Sequence, residues 1–445
     1  MKKGLLLIAI FPLLANSQNI KTIHLETAGT LNILISEDEK NSVTTLNLSG
    51  RVNGDDINYI REMCGGSQFE GFTEGKLSHI DMEDVIIVQG GSYKCGGYTF
   101  YTNSLEIGES MFAYLEKLKT IKLPTITKVI RSSAFEKCTR LESIDILDNI
   151  FSIEHYAFYQ CLSLEKVHIG KGLNEIGQWC FSSCPKLKYF EVSEDNPFCT
   201  SVDGILFSKD GKTLLYYPNL RANTYEIPSE VVLAASSFAG CTNLERIEIP
   251  EGTTEVNGYV FYECTGLKYI KLPNSLRLIW SIAFYGCSSL SSITLPKKVH
   301  TIYDAFCECK NLEEIICLNT TPPRADIFHG VNTIDAKVYV PTGSAEVYSK
   351  AEGWRNFLNI IEKDFETDNP VILKNSIQIQ SISGGISLTN IQDANLIYIF
   401  NTSGQLIKHI IPKENNIELN LPKGIYIINI KLNTNNSISK KIVIS

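Results

Sequence analysis

The stretch that decides the fold is Ser237–Pro250, which reads SFAGCTNLERIEIP. It contains a phenylalanine, a cysteine three residues later, a leucine three residues after that, and then Ile-x-Ile-Pro. The pattern recurs along the chain, and its phenylalanines are Phe112, Phe135, Phe158, Phe181, Phe238, Phe261, Phe284 and Phe306. Their separations are 23, 23, 23, 57, 23, 23 and 22 residues, and 57 is one period of 23 plus 34 inserted residues. A fixed period in this range is typical of stacked repeats.

Each repeat predicts one coil of a solenoid. In Leu-x-x-Ile-x-Ile the apolar residues point inward from a short strand and the residues between them face solvent. About five apolar side chains per unit stabilise it by roughly 1.5–3 kcal/mol each, whereas ordering the unit costs about 1.5 kcal/mol per residue. A unit is therefore unstable alone, and stacking is needed to cover both of its faces. The predicted fold class is an α/β, mostly β, leucine-rich repeat solenoid of about eight 23-residue units.

The composition limits the class of protein. A chain of 445 residues is too long for one ordinary core, but a solenoid has no such limit because each coil contacts only its neighbours. The net charge of -8 disfavours nucleic acid as a partner, since phosphate binding requires clustered lysine and arginine. An apolar content of 44% disfavours disorder.

The N-terminus predicts a signal peptide at residues 1–17. Lys2 and Lys3 precede an apolar run over 4–14 that is too short for a transmembrane helix, and small residues follow at the cleavage positions. The mature chain is expected to start at Gln18, to be exported, and to contain no transmembrane segment.

The repeat array spans residues 108–318, and an open stack needs a cap at each end because its terminal coils expose apolar faces. Residues 18–107 form the predicted N-terminal cap, with strand-like alternation at 43–48 and 77–82 and a helix at 55–63.

The insertion, residues 193–228, predicts a hairpin along the edge of the solenoid. Apolar runs at 204–208 and 213–217 flank Lys209-Asp210-Gly211-Lys212, and Asp-Gly between such runs is a strong hairpin signal.

Residues 319–362 form the predicted C-terminal cap. A last strand is expected at 338–341 and a helix at 344–361, with Tyr348, Trp354 and Phe357 turned onto the end of the stack.

The chain after the cap changes character. An acidic linker at 363–373 is followed by a domain at 374–445 that is rich in Ile, Asn and Ser. Short alternating runs there predict seven strands and a small β-sandwich. These runs are 377–382, 386–388, 396–400, 406–411, 417–421, 425–432 and 438–444.

Two stretches resemble known families. Ala134–Ile146, AFEKCTRLESIDI, is similar to the BspA-like class of bacterial leucine-rich repeats. This resemblance implies a secreted or surface protein, often an adhesin or surface antigen, with no catalytic residue. Leu396–Ile407 (LIYIFNTSGQLI), Leu421–Ile428 and Lys440–Ile444 resemble type IX secretion sorting domains. That resemblance implies contact with a secretion machinery that exports proteins across the outer membrane of certain Gram-negative bacteria.

The number of cysteines would suffice for a metal or redox centre, but their positions in the sequence do not fit one. Seven of the 13 occupy one repeat position, which is filled by Leu115 in the first unit, and this predicts a column of buried structural thiols. Side chains stacked at strand spacing do not converge on one point as a zinc site requires. No metal or other cofactor is predicted. A bridge between Cys64 and Cys95, each followed by Gly-Gly, is left open.

The candidate binding site is the exposed face of the repeat strands, because solenoids present such faces to partners and because Tyr and Arg are enriched in binding hot spots. A solvated sheet face with charge pairs across strands is the alternative interpretation. The candidate residues are Lys166, His168, Tyr189, Glu191, Arg246, Glu248, Tyr269 and Lys271.

These features predict an exported, non-enzymatic protein that binds a protein or glycan partner at the cell surface. The alternatives are a structural surface-layer component and a secreted hydrolase or its accessory subunit. A hydrolase would need converging acids or a nucleophile in the cap or the insertion, and the acidic run at 37–39 is interpreted as a solvated loop.

Overall fold

The structure is a computed structural model that describes residues 19–67, 69, 71–326, 328–365, 378–382, 384–389, 391, 394–401, 405–432 and 437–444. The predicted signal peptide and most of the predicted linker lie outside these residues. The chain divides into two compact units at residue 362, and each is described by itself.

The first unit is a solenoid in which most coils contribute a short strand to a first column of strands. Neighbouring strands of this column pair in parallel over most of its length, in four separate sheets. The strands of the first column are Ile20–Leu25, Thr45–Val52, His79–Ile87, Thr120–Lys122, Ser143–Ile146, Lys166–Ile169, Tyr189–Val192, Thr224–Glu226, Arg246–Glu248, Tyr269–Lys271, Ser292–Leu295, Glu314–Cys317, Lys337–Pro341 and Asn359–Lys363.

A second column of very short strands lies on the next side of each coil. These strands are also parallel within their sheets. They are Glu106–Ile107, Val129–Ile130, Ser152–Ile153, Glu175–Ile176, Val232–Leu233, Glu255–Val256, Leu278–Ile279, Thr301–Ile302 and Arg324–Ala325. The Phe-x-x-Cys loop then leads back to the next strand of the first column.

The repeat phenylalanines form the predicted spine. Their rings stack in two runs, Phe112 to Phe181 and Phe238 to Phe306, with centroids 5.2–5.3 Å apart. All eight are at most 1% exposed. At the insertion the packing continues through two tyrosines: Tyr216 contacts Phe181, and Tyr217 stacks on Phe238 at 4.8 Å.

The repeat cysteines are buried free thiols, as predicted, and they also donate hydrogen bonds. The Sγ of Cys161 donates to the carbonyl oxygen of Phe135 in the preceding coil at 3.2 Å. Five other repeat cysteines make the same contact at 3.0–3.3 Å, and they are Cys138, Cys184, Cys264, Cys287 and Cys309. The position therefore uses a small apolar residue that can donate, which accounts for the recurrence of cysteine.

Neither of the cysteines in the N-terminal cap forms a bridge. Cys64 and Cys95 are both buried and no disulfide joins them, so the bridge that the sequence left open is absent. Burial raises the pKa of the Cys64 thiol to about 12.

The N-terminal cap supplies hydrogen-bond donors for the loop carbonyls of the first repeat coil. In the array, the loop amides of one coil donate to the loop carbonyls of the next, as Phe112 N does to Ala134 O at 2.8 Å. The first coil has no preceding repeat loop to occupy its own carbonyls. Arg61 instead donates to the carbonyl oxygens of Met111 and Ala113, each at 3.1 Å.

A second side chain of the cap, Tyr93, completes this row. Its hydroxyl donates to the carbonyl oxygen of Glu109 at 2.7 Å. Arg61 lies on the helix Gly54–Met63, which matches the predicted helix and begins with a capping box between Asn53 and Asp56. Two short helices, Leu31–Leu34 and Glu37–Lys40, precede it.

Two further pairs of strands were not predicted in this cap. The strands Gly90–Cys95 and Tyr98–Thr102 form an antiparallel hairpin. The two-residue strands Gly66–Ser67 and Gly71–Phe72 are also antiparallel.

The insertion contains the predicted hairpin, but it is part of the coil stack and does not lie along its edge. Strands Ile205–Ser208 and Thr213–Tyr216 are antiparallel, and the second of them pairs in parallel with Val232–Leu233 of the second column. A third strand, Cys199–Val202, pairs with Ile205–Ser208. Strand Thr224–Glu226 joins the first column, so the insertion supplies an additional, modified coil.

The C-terminal cap differs from the prediction in one respect. The helix predicted at 344–361 is only Ala345–Lys350, followed by a 3-10 turn at Trp354–Asn356 and a strand. The helix ends at Lys350 because Ala351 has an extended backbone with a ψ of 143°, and Gly353 then turns the chain with a φ of +76°. Tyr348, Trp354 and Phe357 are nevertheless buried, as predicted.

The second unit is an all-β domain with the seven predicted strands. They form a three-stranded and a four-stranded antiparallel sheet. The strands are Gln378–Ile382, Gly385–Thr389, Ala394–Asn401, Leu406–Ile410, Ile417–Asn420, Gly424–Leu432 and Ser437–Ile444. A single apolar core includes residues of both sheets, such as Ile386 and Ile428.

Candidate functional site

The candidate site lies on the outward positions of the first strand column. In Tyr189–Val192 the side chains of Tyr189 and Glu191 are exposed while Phe190 between them is 2% exposed. The same alternation holds in the other repeat strands, because successive side chains of a strand point to opposite faces. Seven of the eight candidate residues are exposed, and His168 is half-buried.

The structure brings the eight residues together as two groups of four. In one group, strand pairing places Lys166 beside Tyr189 and His168 beside Glu191. In the other, it places Arg246 beside Tyr269 and Glu248 beside Lys271. We call these the 166–191 group and the 246–271 group.

The 246–271 group is a connected cluster. The Arg246 guanidinium donates to Glu248 at 2.6 Å and lies over the Tyr269 ring, 3.8 Å from its centroid. Lys271 Nζ bonds the second Glu248 oxygen at 3.3 Å. The hydrogen bond from Arg246, with support from Lys271, holds the pKa of Glu248 below its usual value. The cluster therefore presents an ordered aromatic and cationic surface around one carboxylate.

The 166–191 group is not internally bonded. The described part of the chain contains no hydrogen bond or ion pair among its four side chains. Lys188 and Glu165 each lie one residue before a strand of this group, and their side chains form an ion pair at 2.7 Å. This group resembles the solvated sheet face that the sequence left as the alternative.

The inserted coil separates the two groups. Strand Thr224–Glu226 pairs with Arg246–Glu248, so the strand before the 246–271 group is one of the insertion and not Tyr189–Val192. On the other side, the turn at Asp203-Gly204 covers the strand of Tyr189, and Phe190 N donates to Gly204 O at 2.9 Å. A Cβ on Gly204, whose φ is +78°, would lie 2.6 Å from the Tyr189 Cβ, so the turn is in close contact with the first group.

The sequence analysis did not identify the residues of the inserted coil that lies between the two groups. Glu226 is the register partner of Glu248, and Arg221 donates to the carbonyl oxygen of Asp203 to hold the turn. The signal was present: Tyr225-Glu226-Ile227-Pro228 has the strand ending of the repeat, with tyrosine in place of the first isoleucine.

The described residues also bear on metal binding and on membrane-spanning helices. Among them, no group of three or more His, Cys, Asp or Glu side chains is arranged to hold a metal ion. None of the helices within them is long and apolar enough to cross a membrane.

Comparison with solved structures identifies the fold. The pneumococcal vaccine antigen PcpA has a TM-score of 0.50 and 21% identity over 74% of this chain and 82% of its own. A leucine rich cell surface protein from Faecalibacterium prausnitzii has a TM-score of 0.45 and 19% identity over 79% of this chain and 85% of its own. At these identities the likeness to PcpA shows the fold alone. No curated protein sequence matches this chain.

Comparison with protein families covers both units. Residues 369–445 match the secretion system C-terminal sorting domain, which implies interaction with a secretion machinery and marks an exported protein. Residues 105–233 and 231–333, together more than half of the chain, match the BspA type leucine rich repeat region in six copies. The chain therefore belongs to the BspA-type leucine-rich repeat family and carries a C-terminal secretion sorting domain.

Proposed function

We propose that this protein is a non-enzymatic, adhesin-like protein of a Gram-negative bacterial surface that binds a protein or glycan partner through the first strand column. The observation that carries the proposal is the 246–271 group. Its arginine is fixed over Tyr269 and bonded to Glu248, so its side chains lose little conformational freedom when a partner binds. Arginine and tyrosine are also among the side chains most enriched in binding hot spots.

The roles of the acids in the N-terminal cap argue against the hydrolase alternative. The acidic side chains that lie close together in this cap bond to other groups of the protein. Asp56 is 1% exposed and accepts backbone hydrogen bonds from Gly29, Leu31 and Asn53. Such a carboxylate holds the chain in place and is unavailable for proton transfer.

The acidic run at 37–39 supports the same conclusion. It forms part of the helix Glu37–Lys40, and not the loop expected from sequence. Glu37 and Glu62 both bond Lys40, at 2.6 and 2.9 Å. These carboxylates are paired with a cation that is nearly buried, which is a stabilising arrangement.

The test is a solid-phase binding assay of the mature chain on host matrix proteins and on glycans, comparing two double variants. Arg246→Ala with Tyr269→Ala should weaken binding by about tenfold or more, since hot-spot truncations exceed roughly 1–2 kcal/mol. Lys166→Ala with Tyr189→Ala should have a smaller effect, because that group is not preorganised. Tyr101→Ala, an aromatic residue of the cap that is 68% exposed, is the matched control.

Two results would reject the proposed binding site or the proposed role. Binding that survives the Arg246 and Tyr269 substitutions would remove the 246–271 group as the site. Concentration-dependent assembly of the purified chain, without binding to any partner, would favour the structural surface-layer alternative. Separately, surface retention after deletion of 374–445 would show that sorting does not depend on the C-terminal domain.

A further inference from the structure

A second surface of the solenoid is lined with aromatic side chains that the strand-face proposal does not use. It is formed by the loops before and after the repeat phenylalanines, where two positions per coil point away from the spine. We call it the aromatic platform, and its members are Tyr156, Tyr159, Trp179, Tyr259, Tyr262 and Tyr285.

The platform rings form one continuous series across the insertion. Tyr156 stacks on Trp179, with centroids 6.1 Å apart and planes at 10°. Trp179 meets the rings of Tyr259 and Tyr262 edge-on at 4.9 and 4.8 Å. Tyr262 then stacks on Tyr285 at 5.0 Å, with planes at 8°. The rings therefore follow the stack from the coil of Phe158 to the coil of Phe284.

The coil in the middle of this series has small residues at the same two positions. Ser236 and Ala239 are almost fully buried, which lets Trp179 reach from the coil before them to the coil after them. The hydroxyl groups of Ser236 and of Ser182, both at most 1% exposed, have no hydrogen-bond partner within the described chain.

The outer edge of the platform offers free hydroxyl groups. Tyr156 is 40% exposed, and Tyr259 and Tyr285 are half-buried. Within the described residues the hydroxyls of these three tyrosines have no protein partner. Gln160 Nε2 lies 3.3 Å from the Tyr159 hydroxyl at the same edge. Because the rings stack on one another, a ligand at this surface meets their edges and the hydrogen-bonding groups that they carry.

The charges near the platform are mainly negative. Glu136 and Glu263 lie close to the tyrosines, and Glu136 is paired with Lys137 at 3.9 Å. None of the lysines or arginines in the described chain lies over any of the six rings. Anionic ligands such as sulfated glycans, phosphates or acidic lipids are therefore disfavoured at this surface. Carboxylates accept hydrogen bonds from uncharged hydroxyl groups.

We propose that the aromatic platform binds a neutral glycan chain. The hydroxyls of a pyranose ring can bond the tyrosine, glutamine and glutamate groups at the rim, and its C–H groups can contact the exposed part of a ring such as Tyr156, which is 40% exposed. Rings repeated from coil to coil suit a polymer of similar units better than a single side chain of a protein. The platform is a different surface from the 246–271 group, and its binding of a glycan does not depend on that group binding anything.

The experiment is affinity electrophoresis of the mature chain in gels containing laminarin, mannan or xylan, with heparin as the anionic comparison. We expect retardation by at least one neutral polysaccharide and none by heparin. Tyr156→Ala with Tyr285→Ala should weaken the retardation about tenfold, since two ring contacts are lost. Tyr98→Ala, which removes a 72% exposed aromatic ring of the N-terminal cap, is the matched control.

A milder pair of variants guards against loss of folding. Tyr156→Phe with Tyr285→Phe keeps the rings and removes only their hydroxyls, so a smaller loss of affinity is expected with an unchanged thermal midpoint. A fluorescence change on binding should persist in Trp280→Phe and disappear in Trp179→Phe, because only Trp179 belongs to the platform.

Three outcomes would overturn the proposal. They are the absence of retardation by every neutral polysaccharide, full retardation of the Tyr156 and Tyr285 alanine variant, and stronger retardation by heparin. If the 246–271 variants lose partner binding but retain polysaccharide retardation, the two surfaces act separately. If the platform variant also fails to bind a protein partner, the platform is part of a protein interface and the glycan assignment is wrong.

Discussion

Replacing Arg61 by methionine should open the first coil of the array. The guanidinium of Arg61, which is 3% exposed, donates to the carbonyl oxygens of Met111 and Ala113 at 3.1 Å. No repeat loop precedes the first coil, so no backbone amide of such a loop can take over these carbonyls. Methionine keeps much of the side-chain volume but leaves both acceptors buried and unpaired.

The magnitude follows from these two bonds. A hydrogen bond to a charged group contributes about 1.5–3 kcal/mol, so Arg61→Met should reduce the free energy of opening the first coil by about 3–6 kcal/mol. Tyr93→Phe removes one neutral bond, to Glu109, and should cost about 1–3 kcal/mol. Arg140→Met, at an exposed position of the next coil, should lie within about 0.5 kcal/mol of the parent.

The assay is native-state hydrogen exchange, because terminal coils of a repeat stack open separately from the rest. The amide of Phe112, bonded to Ala134 O, should exchange about a hundredfold faster or more in Arg61→Met. The amide of Phe261, far along the stack, should be unchanged. Retained protection of Phe112, or a larger effect of Tyr93→Phe, would refute this role of Arg61.

Three further predictions concern groups that are buried or half-buried. All 13 cysteines are buried, and burial raises the pKa of thiols such as Cys184 and Cys199 to about 12, so Ellman's reagent at pH 8 should modify less than one thiol per folded chain and all 13 after denaturation. Glu154 is held by Arg131 at 2.6 Å, and although burial raises its pKa, its bonds lower it overall. Its contribution to stability is therefore present above the unfolded pKa of about 4.3 and lost as the pH falls through the lower folded value, so Glu154→Gln should flatten the acid limb of an unfolding curve. Tyr216→Phe removes a hydroxyl that donates to Gly177 O at 2.7 Å and accepts from Cys180 N at 3.0 Å, and urea unfolding should report a loss of about 2–4 kcal/mol.

Much of this fold could be predicted from the sequence because its determinants are periodic. The spacing of the phenylalanines predicts the spine, and the alternation of apolar residues predicts all seven strands of the last domain. The helix predicted at 344–361 was too long because its apolar residues, including Trp354, have helical spacing. Spacing carries no information on the extended backbone of Ala351, where the helix ends, or on the left-handed φ of Gly353 that follows.

The candidate site could be predicted only in part. Outward positions follow from the period of two within each strand, but contact between strands depends on which coils are neighbours. The strand Thr224–Glu226 was not predicted because its coil lacks the phenylalanine and cysteine by which the repeat is recognised. Tyr216 and Tyr217 replace the phenylalanine there, and their positions depend on the hairpin. The eight candidate residues therefore form two groups instead of one.

Ligand recognition can change in this protein without loss of the stacked coils. Phenylalanine, cysteine and the inward strand residues satisfy the core and the loop carbonyls of each coil. The side chain two residues before each phenylalanine lies outside the spine, and this position holds a serine, tyrosine, tryptophan or isoleucine with a φ of 53–64° in seven coils. Glycine would adopt this conformation without strain, yet none of these seven positions is glycine. Where the residue is aromatic, as at Trp179, its contacts with neighbouring rings offset the strain. We therefore expect ligand preference to reside in this position and in the outward strand residues, which can change without disturbing the spine.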